Sequence, residues 1–119
     1  MKIAVISDVH GNVPALDAVL ADIEQWGPDR LVVNGDLINR GPLSLAAYEL
    51  MKRRARGARY VKGNHEEFVL SEAALMSDAE RPEYELTRFA RWTARQMGAV
   101  LEEIAGWGHH LDITDPAGG

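Results

Sequence analysis

The 119-residue chain contains no cysteine, which excludes disulfides and thiolate metal sites and leaves Asp, His, Asn and Glu as metal ligands. It also has no apolar run near the ~20 residues that a membrane-spanning helix needs. The opening Met1-Lys2-Ile3-Ala4-Val5-Ile6 is too short for a secretory signal and meets Ser7-Asp8 at once, so it reads as a buried strand. An excess of positive charge is missing as well, the net charge being −5. The one basic run, Lys52, Arg53, Arg54 and Arg56, closes a predicted helix, where cations complement the helix dipole, and is read that way rather than as a nucleic-acid patch. There is no glycine-rich phosphate loop, which sets aside a generic nucleotide-binding module. With 46% hydrophobic residues, the composition describes one soluble globular domain with a modest core, expected to be cytoplasmic.

What is present is a repeated order of strand, polar loop and helix. Lys2 to Ser7 predicts a first strand, and Pro14 opens a helix over Ala15 to Trp26 with Leu16, Val19, Leu20 and Ile23 at helical spacing. Gly27-Pro28 stops it. Arg30 to Asn34 predicts a second strand, Gly35 to Pro42 a polar loop, and Ser44 a cap for a helix to about Arg54 that Gly57 ends. Ala58 to Lys62 predicts a third strand, Gly63-Asn64-His65 a loop, and a helix follows through Phe68, Val69 and Leu70. This order argues for parallel strands joined by right-handed crossovers. Ligands in such sheets bind outside the carboxyl ends of the strands, so the three polar loops are expected to converge on one edge. Beyond a polar break at Ser77 to Glu83, a long helical stretch runs from Tyr84 to Ala105 with an interruption at Gly98. His109 to Thr114 is expected to be a strand.

Each converging loop carries potential ligands. Asp8 and His10, two residues apart after a strand, offer a carboxylate oxygen and an imidazole nitrogen, a pair that suits manganese, iron or zinc better than calcium. Asp36 in Gly35-Asp36-Leu37-Ile38-Asn39-Arg40-Gly41-Pro42 can bridge two cations, and Arg40 can reach a phosphate through its planar fork. Asn64 offers a neutral carbonyl oxygen to a metal, and His65 beside it can protonate a leaving alkoxide. Glu66 or Glu67 could orient His65 through its other ring nitrogen; beyond that, the acidic pair suits a helix start.

Asp8-x-His10, Gly35-Asp36 and Gly63-Asn64-His65-Glu66 resemble, in order and spacing, the first three signatures of the calcineurin-like metallophosphoesterases. The resemblance is close over residues 1 to about 70 and looser to Gly119. It implies a metal-dependent phosphoesterase that hydrolyses phosphate mono- or diesters by attack of a metal-bridging hydroxide. It implies two divalent cations, manganese, iron, zinc or nickel. Asp8 and His10 would hold the first, Asp36 would bridge, Asn64 would hold the second and also contact substrate, and His65 would be the general acid. Arg40 would bind the substrate phosphate, as in the serine/threonine protein phosphatases and their bacterial relatives, where an Asp stands at the position of Asn39. The substrate would be a phosphorylated small molecule, a nucleotide or a phosphoprotein.

The family's later His-Gly and Gly-His-x-His motifs do not follow. Trp107-Gly108-His109-His110 looks like the last of them only superficially, and both histidines are read as strand residues. The expected fold is therefore the N-terminal half of a four-layer α/β/β/α sandwich: one incomplete domain over 1–119, mostly parallel sheet flanked by helices, with 77–106 as a candidate helical cap. The sheet face meant for the absent layer is expected to be apolar, exposed and open to self-association. The alternative is a truncated, non-catalytic fragment of such an enzyme with weak or no metal binding. Trp26, Trp92 and Trp107 are read as packing residues rather than a base-stacking platform.

Overall fold

A computed structural model describes residues 1–76 and 85–118, apart from the side chain of Leu86. The polar break at 77–83 and Tyr84 lie outside the described residues. The element order is β1 (Ile3–Ile6), α1 (Val13–Trp26), β2 (Arg30–Asn34), α2 (Ser44–Arg54), β3 (Arg59–Val61), α3 (Asn64–Leu75), α4 (Glu85–Met97) and α5 (Val100–Ala105). The strands form one parallel sheet in the order β1-β2-β3, with Val5 opposite Val32 and Val32 opposite Arg59.

The core lies on one face of this sheet. Val33 from β2 packs in a single cluster with Leu16 and Leu20 of α1, Leu50 and Met51 of α2, Val69 of α3, Met97 of α4 and Ile104 of α5. The opposite face carries Val5 and Ile3, which are 60% and 37% exposed, so the open apolar face expected from the sequence is present. No helix among the described residues is long and apolar enough to cross a membrane.

Local chemistry explains the helix limits. Asn12 caps α1 by accepting from the Ala15 N–H at 3.1 Å, and Gly27 closes it in a left-handed turn at φ 66°. The basic run sits in the last turn of α2, as its charge pattern predicts, and Arg54 is paired with Asp17 and Glu24. Gly98 at φ 54° separates α4 from α5.

Several expectations need correction. Ser44 is not a cap: it is the first residue of α2, and its hydroxyl accepts from the Asn39 N–H at 3.0 Å. Gly57 does not end α2, whose last residue is Arg54. Val19 points to solvent rather than into the core. Residues 109–114 form no strand: the backbone bridges β3 once, between Val61 and Gly108, through the Lys62 N–H to Gly108 carbonyl bond of 2.8 Å, and then departs. One side-chain bond from Arg59 to the Asp112 carbonyl, 3.1 Å long, is no substitute for a ladder. Trp107 does pack, stacked on Tyr60 with ring centroids 4.6 Å apart, but Trp26 and Trp92 are exposed.

Candidate metal centre

Because β1, β2 and β3 run parallel and in order, the loops after them leave from the same edge, and the backbone fastens them together. The first loop is laid along the second by bonds from the Asp8 N–H to the Gly35 carbonyl (3.2 Å), from His10 to Asp36 (3.0 Å) and from Gly11 to Leu37 (3.0 Å). The second is joined to the third chiefly through the fully buried Glu66. Its Oε1 accepts from the Asp36 and Gly63 N–H groups, each at 2.7 Å, and its Oε2 accepts from the Ile38 N–H at 3.2 Å. A buried carboxylate with three donors is a satisfied one. Glu66 therefore binds backbone and does not orient His65; Glu67 is exposed and faces Lys62 and His109.

Two glycines make this approach possible. A Cβ on Gly41 would overlap the His10 carbonyl oxygen, and one on Gly63 would overlap the Asp36 carboxylate. Every non-glycine residue with positive φ among those described lies in these loops: Asp8 (57°), His10 (50°), Asp36 (57°), Asn39 (73°) and Arg40 (71°). Such conformations cost about 1–2 kcal/mol per residue and persist where surrounding bonds over-determine them.

The result is a cluster of donor atoms. One ligand atom each from His10, Asp36 and His65 lies within 4.8 Å of the others. The His10 and His65 rings meet edge to face, 4.8 Å between centroids. Asp8 Oδ1 is 3.4 Å from His10 Nε2. A hydrogen bond from Ser7, then the charge of nearby His10, hold the Asp8 carboxyl below its ordinary range. Asn64 and His65 sit in the first turn of α3 rather than in a loop, so the positive end of that helix faces the cluster. The His65 N–H donates to Asp36 Oδ1 at 2.9 Å. One terminal atom of the Asn64 amide lies 3.2 and 2.9 Å from the Asp36 carboxylate oxygens. As nitrogen it donates to them; as oxygen it makes sense only beside a shared cation.

These residues fit a divalent metal of the manganese, iron or zinc type, with imidazole, carboxylate and amide donors and no sulfur. A buried His10 Nδ1 without a hydrogen-bond partner marks the same place. The structure thus gathers Asp8, His10, Asp36 and Asn64, and adds His65 to them. Exposed Arg40 lines a cavity of about 390 Å³ together with Asn39, Asn64, His65, Phe68 and Phe89. His109 and His110 are exposed and outside the cluster. Sequence reasoning missed the loop-joining role of Glu66 and the contact of Asn39 Nδ2 with His65 Nδ1 at 3.2 Å. The only sequence signal for the former is an acidic residue at the third position of a helix.

A parallel sheet whose carboxyl edge gathers imidazole, carboxylate and amide donors defines a class: α/β proteins with a candidate metal site where the loops leave the strands. The calcineurin-like phosphoesterase model matches residues 1–119, and the chain belongs to that family. It resembles the crystal structure of a metallophosphoesterase from Sphaerobacter thermophilus, at 28% identity and TM-score 0.70, covering 97% of this chain and 44% of that one. It is 40% identical over 73 residues to the symmetrical bis(5'-nucleosyl)-tetraphosphatase of Klebsiella pneumoniae, covering 60% of this chain and 26% of that protein. The same enzyme of Escherichia coli is 38% identical over 88 residues, covering 73% of this chain and 31% of that one. The chain thus spans between a quarter and a third of these curated relatives' length.

Proposed function

We propose that this chain supplies the first half of a metal-dependent phosphoesterase centre acting on phosphate esters and anhydrides, with nucleotides as the substrate class. The observation that carries the reading is the meeting of His10, Asp36 and His65 within 4.8 Å, with Asp8 and Asn64 against them, at the loop edge of the sheet. The nucleotide class is supported by the relatives named as dinucleoside tetraphosphatases.

Asp8 and His10 would hold one cation, Asp36 would be shared, and Asn64 would hold the second. Bound there, divalent ions would supply charge neutralisation and an acidified water at neutral pH. Arg40, exposed on a strained loop, presents its fork to the phosphoryl oxygens. His65, whose Nδ1 is engaged by Asn39, is left with Nε2 to meet the departing oxygen. Helix α4, within the 77–106 segment, would act as the cap that contacts substrate, since its Glu85, Phe89 and Ala90 wall the same cavity.

The second reading is a non-catalytic chain with weak or no metal binding, favoured by one observation: among the described residues only His10, Asp36 and His65 bring ligand atoms within 4.8 Å of one another. Calorimetric titration with Mn²⁺, followed by assays on p-nitrophenyl phosphate, its bis-ester and diadenosine tetraphosphate, separates the two. Metal uptake and turnover, both abolished in Asp36→Ala, uphold the enzyme. Uptake of no metal and turnover of nothing leave the non-catalytic chain.

A further inference from the structure

The cavity beside the donor cluster has an order along its length. Its inner end is polar, made by Asn39 and Arg40 of the second loop with Asn64 and His65 of α3. Two helices carry the walls outward, and each places a phenylalanine one turn further on. On α3, Phe68 follows Asn64 by four residues. On α4, Thr93 meets the Asn39 amide at 2.9 Å, Phe89 lies four residues before it, and Glu85 four before that. Residues four apart lie on one helix face, about 6 Å apart along the axis. Both helices therefore set a ring about 6 Å out from the polar end, and α4 sets a carboxylate about 12 Å out.

Neither ring joins the buried core: Phe68 is 36% and Phe89 43% exposed. Phe89 is steadied edge to face by Trp92, with 5.4 Å between centroids. Aromatic surface left in water is unfavourable, and a planar ligand lying on it removes that surface from water. The cavity volume of about 390 Å³ is near the lower end of the ~300–1,000 Å³ of small-molecule sites, room for one nucleoside rather than two. Glu85 at the outer end repels a second anionic group, so a polyphosphate tail does not run that way. What fits is an anion at Arg40, a short polar spacer and then a planar ring. That is the order of phosphate, pentose and base in a nucleotide. An aryl phosphate carries its ring directly on the phosphate oxygen, short of both phenylalanines, and a serine phosphate has no ring.

We propose that Phe68 and Phe89 form a nucleobase subsite, which selects a phosphate carried directly on a nucleoside over sugar phosphates, aryl phosphates and phosphoserine. Its part in substrate choice rests on the phosphoesterase reading above; the seating of a base on the two rings does not.

The test is calorimetric titration of the whole chain in the presence of Mn²⁺. The probes are the methylene phosphonate analogues of AMP and of ribose 5-phosphate, which cannot be hydrolysed. The adenosine analogue is expected to bind about a hundredfold tighter than the ribose analogue. Phe68→Ala and Phe89→Ala should each cut that preference about tenfold, the low end of what base–aromatic stacking contributes, while Phe68→Tyr and Phe89→Tyr keep it. Equal binding of the two analogues, binding of neither, or a preference that survives both alanine variants overturns the proposal. Tighter binding of phenylphosphonate than of the adenosine analogue overturns it too, because the ring would then sit against the phosphate. Both rings reach solvent, so the alanine variants should fold; if one does not, the other and its tyrosine counterpart decide. Turnover of p-nitrophenyl phosphate with Mn²⁺ is read separately. No turnover beside ring-dependent binding sinks the phosphoesterase reading and leaves the subsite, whereas turnover without a preference for the base does the reverse.

Discussion

At the loop edge of the sheet, five non-glycine residues hold positive φ, and three backbone N–H groups converge on the buried Glu66 carboxylate. On the open face, Val5 is 60% exposed and lies opposite Val32 in register. Both regions belong to the same strands. One holds strained backbone in place by over-determination; the other leaves apolar surface in water. The contrast shows where structural constraint is concentrated in this half-sandwich: on fixing the positions of a few donor atoms.

The sharpest way to break the contrast is to remove its hub. Glu66→Ala orphans one buried and two part-buried N–H groups at about 1–3 kcal/mol each before relaxation, so a loss of about 4 kcal/mol is expected, read by urea denaturation. Glu66→Gln, with one acceptor oxygen in place of two, should lose about half as much. Next comes Gly41→Ala, whose Cβ would overlap the His10 carbonyl oxygen. The loops must part to admit it, at about 3 kcal/mol, and Mn²⁺ affinity should fall with stability. An ordinary cap lies further down the scale: Asn12→Ala removes the bond to the Ala15 N–H and should cost about 1 kcal/mol. Val5→Thr on the open face should change stability by less than about 0.5 kcal/mol. A larger loss there would show that the open face is covered in solution, and sedimentation would reveal the second copy.

A pH measurement sharpens the same comparison from the core side. Burial pushes the Tyr60 hydroxyl up to about 12 from an ordinary 10.0. Between those values the folded chain keeps a proton that the unfolded chain releases, so stability falls as pH rises through that window. Ultraviolet difference spectra should show one tyrosine titrating about two units above an ordinary one, and Tyr60→Phe should remove both that step and the alkaline loss.

Much of the fold was legible because hydrophobic period and punctuation are local. The limits of β2 and the last residue of α2 match the sequence reading, since Leu31-Val32-Val33 and the run up to Arg54 each declare their period within their own length. The meeting of the three loops followed from strand order alone. The first turn of α3 was not legible: Gly63-Asn64-His65 has the composition of a loop, and it is helical because Glu66 accepts from the Gly63 N–H and closes the turn. Nor was the failure of residues 109–114 to form a strand, because β-branched and aromatic content cannot say whether a ladder partner is available.

By itself the sequence determined the parallel order of strands, the absence of sulfur chemistry and the identity of the donors at one sheet edge, since each depends on neighbours a few positions apart. Tertiary structure alone decided that Glu66 joins the loops of Asp36 and Gly63, and that Thr93 of α4 meets Asn39 beside His65. Those contacts span 30 and 54 positions of chain. A hydrogen bond to a backbone N–H or a shared amide leaves no periodic or compositional trace, so only the folded geometry reveals it.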